Sequence, residues 1–280
     1  MNPGSIEVRR LATHEEFRAC VALQHDTWGH DFADVVPASI LKVSQRVGGV
    51  TLGAFDGDRL TGFVFGLTGV ERGRVVHWSD MLAVRPEARN LGLGRRLKEH
   101  QRRLVRELGG WVIYWTYDPL MARNAHLNFN RLGVRLSEYV EDMYGSTDSV
   151  LHGRIPTDRL IVAWPTADEE VAERLAESRR VLASLDCSQA PVATAEWIGN
   201  VARTSTLPHC LRVAIPVDAE PLVRHAPDEA LRWRASVRRA MQWGLEAGYT
   251  VSAFVLDDHA ECGYYVLTRQ TQPTGGPGEP

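Results

Sequence analysis

The stretch that decides the fold is Val84-Arg85-Pro86-Glu87-Ala88-Arg89-Asn90-Leu91-Gly92-Leu93-Gly94-Arg95-Arg96-Leu97. The apolar run 77–84 leads into it and is typical of a β-strand, and a basic helix is predicted directly after the two glycines. Glycine lets backbone N–H groups approach a ligand closely, and the first turn of a helix leaves several of these donors unpaired. Because the helix dipole adds positive charge there, the stretch predicts a site for a phosphorylated ligand.

Two other phosphate-binding patterns do not fit this turn. The dinucleotide fingerprint requires Gly or Ala three residues after Gly94, where this chain has Leu97. The P-loop requires Gly-x-x-x-x-Gly-Lys-Ser/Thr, and the chain contains no such run. A third interpretation needs no ligand, because isolated glycines often serve only to turn a strand into a helix.

The turn and its surroundings resemble the acyl-CoA-binding motif of the GNAT superfamily of N-acyltransferases. The resemblance rests on Arg89-x-x-Gly92-x-Gly94, preceded by Val84-x-Pro86. It implies that the backbone of Leu82 and Val84 pairs with the pantetheine arm of coenzyme A. The main-chain N–H groups implied to wrap the pyrophosphate belong to Arg89, Asn90, Leu91, Gly92, Leu93, Gly94 and Arg95.

A wider stretch resembles one branch of this superfamily. Its matching residues are Trp115 to Leu120, Arg123-Asn124-Ala125, Asn128, Leu132-Gly133 and Pro156 to Leu160. The branch implies acetyl or succinyl as the acyl group and an amino acid or similar small amine as the acceptor.

Composition indicates an ordinary globular protein. The chain has 280 residues, 44% hydrophobic and 24% charged, which allows a sizeable core and one or two domains. Its 32 basic and 35 acidic residues give a net charge of −3, so no overall field attracts nucleic acid or an anionic membrane. No apolar run approaches the roughly 20 residues of a membrane helix, and residues 1–4 show no apolar signal region. A cytoplasmic protein without nucleic-acid or membrane partners is therefore expected.

The cysteines give no sign of a metal or redox site. Cys20, Cys187, Cys210 and Cys262 are widely spaced and form no Cys-x-x-Cys pair. Four reduced thiols, as in most cytosolic proteins, and no bound metal are expected.

The pattern of predicted elements indicates a mixed α/β fold with a smaller C-terminal extension. Residues 1–165 predict strand, two helices, three strands, helix, strand, helix and two strands, which is the GNAT order, and we interpret them as the catalytic domain. Residues 166–270 have too few strands for a second copy and are interpreted as a smaller α/β domain. The Gly- and Pro-rich residues 271–280 predict a disordered tail.

Two residues at the end of the strand before the turn are candidates for the base that deprotonates an amine. His77 has an ordinary pKa near 6.5, and Asp80 suits the role if burial raises its pKa. Strand alternation puts the two on opposite faces, so at most one faces the substrate. A surface histidine and an ordinary strand-edge carboxylate are the alternative interpretations.

The acid that protonates the leaving thiolate departs from the family pattern. Many GNAT members have a tyrosine four residues before the glycine that ends the helix after the fifth strand, and here that position is Phe129. Tyr117, Tyr139 and Tyr144 are candidate replacements, of which we select Tyr117 as the catalytic candidate. Alternatively, the thiolate leaves without help, because thiols are already acidic.

Four further polar residues are candidate ligand contacts. Asn124 and Asn128 lie four residues apart on one helix face and suit the pantetheine amides, unless they simply face solvent. Arg123 suits a carboxylate on the acyl group or substrate, and Asp118 suits an ammonium group. A surface arginine and a helix N-cap are the alternatives for these last two.

The leading hypothesis is an N-acyltransferase that uses acetyl-CoA or another acyl-CoA as co-substrate and a small amine as acceptor. A non-catalytic sensor of CoA on a degenerate GNAT fold is the second hypothesis, because Phe129 replaces the usual tyrosine. Nucleic-acid binding through the basic helix is disfavoured, since the chain lacks an interleaved aromatic and basic stripe. The sequence leaves open whether the chain forms a homodimer.

Overall fold

The computed structural model of the protein describes residues 6–145, 155–201, 206–256 and 262–269. These residues form two β-sheets with helices packed around them, which confirms the mixed α/β fold class. The predicted disordered tail, residues 271–280, lies outside the described residues.

The first sheet has seven strands in the order β1-β2-β3-β4-β5-β7-β6. They are β1 (Ile6–Arg10), β2 (Val50–Asp56), β3 (Arg59–Glu71), β4 (Arg74–Val84), β5 (Val112–Tyr117), β6 (Arg135–Val140) and β7 (Arg159–Pro165). Neighbouring strands are antiparallel except β4 and β5, which run parallel. A parallel pair needs a crossover connection, and helix α3 (Leu93–Glu107) supplies it.

The other helices of this part follow the predicted order. They are α1 (His14–Trp28), α2 (Ala38–Arg46) and α4 (Ala122–Ala125), which continues directly into a π-helical segment (His126–Leu132). Helix α1 begins with the predicted capping box between Thr13 and Glu16. Gly133 ends the π-helical segment in the left-handed conformation, at φ +68°.

The second sheet has three antiparallel strands in the order β8-β10-β9. Its strands are β8 (Cys210–Pro216), β9 (Tyr249–Leu256) and β10 (Cys262–Arg269). The helices of this part of the chain are α5 (Asp168–Ala183), α6 (Leu185–Ser188), α7 (Ala195–Val201), α8 (Glu220–His225) and α9 (Pro227–Glu246). The strands and the two long helices agree with the sequence patterns. The three short helices were not predicted, because one or two turns are too short for a clear periodicity. Across the described ranges, no helix is both long and apolar enough to cross a membrane.

One continuous hydrophobic cluster joins the two sheets. It includes Leu97 and Trp115 from the first sheet and its crossover helix, and Val237 and Tyr265 from the second part. Phe129 and Tyr265 meet edge to face across the contact, with ring centroids 6.1 Å apart. The two parts therefore share a core, and the proposed domain boundary after residue 165 stays a prediction.

Two local expectations are wrong. The sequence pattern of residues 134–144 predicts one strand, but the strand ends at Val140, and Asp142 then adopts a positive φ of 41° in a turn. Four reduced thiols were expected, but Cys187 and Cys210 form a disulfide, with Cα atoms 5.2 Å apart. The two cysteines are 23 positions apart in sequence, so spacing alone gave no indication of the pair. Cys20 is free, and burial raises its pKa to about 12.

Candidate active site

Strands β4 and β5 separate after a short parallel contact. They pair only from Val76 opposite Val112 to Trp78 opposite Tyr114. Beyond this contact β4 continues to Val84, and no strand in the described part of the chain covers that edge. We call the opening between the two strands the fork. An uncovered strand edge presents backbone donors and acceptors that a ligand can pair with.

A β-bulge interrupts β4 where the fork opens. Phe65 pairs with Met81 and Gly66 pairs with Ser79, so Asp80 is an extra residue without an opposite partner. Before the bulge, Ser79 faces helix α3, and after it Leu82 packs toward the same side of the sheet. The bulge thus shifts the alternation of the strand, so that Ser79 and Leu82, three positions apart, lie on the same face of the sheet.

The glycine turn lies at the open end of the fork. Asn90 and Gly92 have positive φ values of 65° and 73°, and α3 begins at the next residue. Among the described residues, no group accepts a hydrogen bond from the main-chain N–H groups of residues 91–95. A Cβ atom added at Gly92 would meet nothing within 4 Å, and one at Gly94 would meet only Leu82, at 3.8 Å. The turn therefore combines unpaired donors with open space, as a bound diphosphate requires.

Positive charge surrounds the same turn. The exposed guanidinium of Arg89 lies beside the Val84 carbonyl, at 3.5 Å, and Arg95 pairs with Glu99 at 2.7 Å on the first turns of α3. Both add to the positive end of the α3 dipole. The electrostatics therefore favour an anion at the position that the sequence predicted.

A buried polar cluster fills the closed end of the fork. Lys98, only 3% exposed, donates a hydrogen bond from Nζ to Ser79 Oγ over 2.8 Å. Its Nζ atom also lies 3.6 Å from the centre of the Trp115 ring, and burial lowers the pKa of this amine well below its ordinary value. Gln101 and His77 complete the group, which we call the fork cluster.

His77, one of the two candidate bases, is enclosed in this cluster. Its Nδ1 lies 2.9 Å from Thr68 Oγ1 and its Nε2 lies 3.1 Å from Gln101 Nε2. Burial and the neighbouring Lys98 charge lower the pKa of His77 to about 3. The surface-histidine interpretation is therefore wrong, and both ring nitrogens already have partners.

Asp80, the other candidate base, is exposed on the opposite face of the sheet. Although the residue is exposed, partial desolvation of its carboxyl group raises its pKa, and the nearby carboxylate of Asp34, between α1 and α2, raises it further. Because His77 bonds to α3 and Asp80 lies near Asp34, the two occupy opposite faces, as strand alternation predicted. A carboxyl with a raised pKa at the fork suits proton removal near neutral pH.

The predicted acid and amide contacts lie deeper than expected. Tyr117 is buried near Tyr265 and Asn128, its hydroxyl makes no hydrogen bond of ordinary geometry within the described structure, and burial raises its pKa. Asn128 is buried as well, whereas Asn124 is half-buried one turn earlier. Phe129 packs against Tyr265, so the position of the usual tyrosine acid belongs to the core.

Asp118 has a different partner from the predicted ammonium group. Its two carboxylate oxygens accept hydrogen bonds from Arg234 of α9 over 2.8 and 2.6 Å, and one also accepts from the Leu120 N–H. Arg123 is exposed and has no hydrogen bond or ion pair to any other residue that the structure describes. Asp118 is therefore engaged by α9 in this structure, whereas Arg123 is not, and the substrate roles of both stay predictions.

A second buried polar group, which the sequence did not indicate, joins α9 to the first sheet. We call it the junction cluster, and its members are Asp118, Asp158, Arg159, Arg234 and Arg238. The fully buried Asp158 accepts two hydrogen bonds from Arg238, over 2.9 and 2.5 Å, and one from Tyr139, over 2.5 Å. The only sequence signal was the spacing of Arg234 and Arg238, four residues apart on one helix face. In the described ranges, no group of three or more His, Cys, Asp or Glu side chains is arranged to hold a metal.

Comparison with known proteins gives similarity to solved structures only. No protein-family model matches the sequence, and no curated protein does. A chain from a structure of the NatC complex bound to Gag peptide and CoA is 15% identical, with a TM-score of 0.48, and covers 57% of this chain and 98% of its own. The ribosomal-protein-S18-alanine N-acetyltransferase from Escherichia coli is 19% identical, with a TM-score of 0.45 and coverage of 58% and 94%. An acetyltransferase of the GNAT family from Streptococcus pneumoniae is 17% identical, with a TM-score of 0.45 and coverage of 57% and 98%.

Each of these structures is matched over most of its length by a little more than half of this chain. The observed element order, with its parallel β4 and β5 pair, is the one that the resemblance implied. The chain therefore consists of a seven-stranded mixed sheet with its helices, followed by a C-terminal extension built on a second sheet.

Proposed function

We propose that the protein is an N-acyltransferase that moves an acyl group from acyl-CoA to the amine of a small molecule. One observation carries the proposal: the free edge of β4 in the fork ends at a glycine turn with unpaired N–H groups. The edge from Ser79 to Val84 covers about 16 Å at the rise of a β-strand. An extended chain with a phosphate group at one end matches this edge and this turn.

The residues proposed to hold coenzyme A follow from that match. The backbone of Leu82 and Val84 would pair with the pantetheine arm. The main-chain donors of residues 90–95 would bind the pyrophosphate, because the Arg89 N–H already donates to the Pro86 carbonyl. Asn124 and Asn128 lie on the helix that follows β5 and would contact the amides of the arm. Bound in this way, coenzyme A supplies an activated thioester.

The chemistry proposed for the chain has two parts. Backbone N–H groups at the bulge would stabilise the negative oxygen that forms when an amine attacks the thioester. Asp80 would take the proton of the amine, which suits its position and its raised pKa. Holding both reactants in one orientation would supply much of the remaining rate enhancement.

We also propose which acyl group is transferred and which amine accepts it. Arg123, exposed and without a partner in the described structure, suits a carboxylate-tipped acyl group such as succinyl, and acetyl is the alternative donor. An amino acid is the acceptor that we propose to test first. A cytoplasmic location and a homodimer remain predictions.

A CoA sensor without catalysis is the second candidate, because Phe129 occupies the place of the usual acid and is buried in the core. Two measurements separate the candidates: calorimetric titration with CoA, acetyl-CoA and succinyl-CoA, and thiol release in the presence of a panel of amino acids. Amine-dependent thiol release supports the enzyme, whereas tight binding without it supports the sensor. Absence of any CoA binding contradicts both.

Two variants make this test specific to the site. Gly94→Ala should weaken CoA binding about tenfold, roughly 1.4 kcal/mol, because the protein accommodates the added Cβ but the ligand would meet it. Gly199→Ala, on a helix with open space around the glycine, is the matched control and should bind as the wild type does. Asp80→Asn should leave CoA affinity unchanged and reduce amine-dependent turnover at least about a hundredfold.

A further inference from the structure

The side of the first sheet that carries Asp80 stays partly exposed beyond β4. On this side, Phe65 and Met81 pack into the hydrophobic cluster beneath helices α1 and α2. Further along the sheet, alternate residues of β5 and β7 are half-exposed, whereas their neighbours on the other side are buried. We call this surface the open face, and its members in the described structure are Trp78, Tyr114, Thr116, Tyr144, Ile161 and Ala163.

The register of the strands places these side chains next to one another. Trp78 of β4 is the neighbour of Tyr114 of β5, which lies opposite Ala163 of β7. Thr116, two residues further along β5, lies on the same side of the sheet and opposite Ile161. An indole ring and a phenol ring therefore form adjacent parts of one surface.

The hydroxyl groups of the open face already have hydrogen-bond partners. Tyr114 donates from its hydroxyl to Glu71 Oε2 over 3.2 Å, at the end of β3. The hydroxyls of Tyr144 and Thr116 lie 3.1 Å apart and bond to each other. Tyr144 is 47% exposed, and Arg159 Cζ lies 5.2 Å from its ring centre. The surface therefore offers a ligand aromatic rings more than free hydrogen-bonding groups.

Trp78 connects the open face to the proposed base. It lies two residues before Asp80 on β4, which is about 7 Å at the rise of a β-strand. Burial raises the pKa of Asp80, and contact with the Trp78 side chain opposes part of this rise, so the two side chains are close. A molecule whose amine reaches Asp80 therefore has its remaining atoms beside Trp78 and Tyr114.

We propose that the acceptor is an amine joined to an aromatic group, and that Trp78, Tyr114 and Tyr144 bind its ring. The inference rests on the proposed function, because it requires the amine to attack a thioester held in the fork. Aromatic rings in edge-to-face or offset contact attract each other beyond the effect of buried area, so a ring should bind here better than a saturated group of similar size. A polyhydroxylated amine would leave its hydroxyl groups unpaired against the rings.

The charges near Asp80 favour the same orientation of the acceptor. Asp34 places a second carboxylate near that of Asp80. These carboxylates attract a protonated amine from solution, and Asp80 then takes its proton before the attack. The class contains amines with and without a carboxylate, namely aromatic amino acids and arylalkylamines, and the assay includes both forms.

The test compares pairs of amines that differ in the ring. Phenylethylamine is paired with cyclohexylethylamine, and phenylalanine with cyclohexylalanine, with acetyl-CoA and succinyl-CoA as donors and the full-length protein as enzyme. In at least one pair, the aromatic member should have a kcat/KM at least about fivefold higher, mainly through a lower KM. The pair that shows turnover identifies the form of the acceptor.

Matched variants test whether the open face provides this preference. Trp78→Ala and Tyr144→Ala should each raise the KM for the aromatic amine about tenfold and bring the two kcat/KM values of the pair close together. Trp78→Phe should keep most of the preference, because it keeps a ring. Trp111→Ala is the control, since this tryptophan is 37% exposed just before β5 and stacks with Arg74. KM does not depend on the fraction of enzyme that is folded, so partial unfolding cannot imitate the result.

Three results would overturn the inference. Equal kcat/KM values for the aromatic and saturated members of both pairs would exclude the aromatic class and leave the acyltransferase proposal intact. A preference that persists in both Trp78→Ala and Tyr144→Ala would place the ring elsewhere. Absence of thiol release with every amine would contradict the proposed function, and this inference with it.

Discussion

The fork cluster and the junction cluster are both buried and polar, but they differ in charge balance. In the junction cluster, Asp118 faces Arg234 and Asp158 faces Arg238, so each carboxylate has a guanidinium partner. In the fork cluster, Lys98 has a hydroxyl and an indole ring as neighbours but no carboxylate within the described structure. A matched buried pair holds elements together, whereas a buried amine without a counter-ion costs free energy and suggests a chemical use.

The pKa shifts follow the same division. Burial by itself raises the pKa of Asp158, but hydrogen bonds from Arg238 and Tyr139 lower it overall, which keeps the carboxylate ionised. Burial lowers the pKa of Lys98 with no carboxylate to oppose it. The carboxylates of the junction cluster are therefore stabilised as ions, whereas burial disfavours the charged forms of both Lys98 and His77 in the fork cluster.

The largest expected effect is the loss of a junction pair. Asp118→Ala should lower the free energy of unfolding by about 3–5 kcal/mol, because it leaves the buried Arg234 without its partner. Urea denaturation measures the change. Glu99→Ala removes the exposed partner of Arg95 and should cost less than about 0.5 kcal/mol. Equal effects of the two substitutions would contradict the structural role of the junction.

A smaller loss is expected from Asn130, which also joins the two sheets. Its side-chain amide donates to the Phe254 carbonyl over 2.6 Å and accepts from the Phe254 N–H over 2.9 Å. Asn130→Ala should cost about 2–3 kcal/mol, since both backbone groups of a buried residue lose a partner. Asn124→Ala serves as the control. Asn124 is half-buried on α4, and little change in the unfolding free energy is expected from its substitution. A wild-type unfolding midpoint for Asn130→Ala would refute the contact.

The fork should respond to acid through His77. The imidazole titrates near 6.5 in the unfolded chain and at about 3 in the folded protein, so unfolding takes up a proton between these values. Its contribution to stability is present above pH 6.5 and is lost by about 1.4 kcal/mol per unit as the pH falls toward 3. His77→Gln should flatten this dependence. If the unfolding free energies of the wild type and the variant change in parallel between pH 7 and about 5, His77 is not buried as a neutral ring.

The smallest stability effect is expected at Lys98. Methionine has a similar length and no charge, so Lys98→Met should unfold within about 1 kcal/mol of the wild type at pH 7. Stability retained together with loss of amine-dependent thiol release would indicate that Lys98 is kept for chemistry. A loss above about 2 kcal/mol would instead place Lys98 with the structural pairs of the junction.

Several predictions from the sequence were correct because they depend on neighbouring residues. The two-glycine turn before α3, the capping box that Thr13 and Glu16 predict and the end of the helix at Gly133 follow from local backbone geometry. The element order follows from apolar periodicity over longer segments. The bulge at Asp80 was not predicted, because it depends on the register between β3 and β4.

The candidate site was predicted in part. The glycine turn with its unpaired donors lies where the motif indicated. The burial of His77 and Tyr117 was not foreseen, since exposure depends on which helix covers each strand face. Ser79 and Lys98 were not selected at all, because 19 positions separate them and no motif joins a strand serine to a helix lysine.

By itself the sequence determined the two-glycine turn, the strands and helices around it and their order, because backbone conformation and amphipathic period act within a few residues. Only the tertiary structure decided that Asp118 binds Arg234, 116 positions away, and that Lys98 is buried against Ser79. Which charges are matched and which remain without a counter-ion depends on how distant elements pack, and packing, through desolvation, sets the protonation of each group.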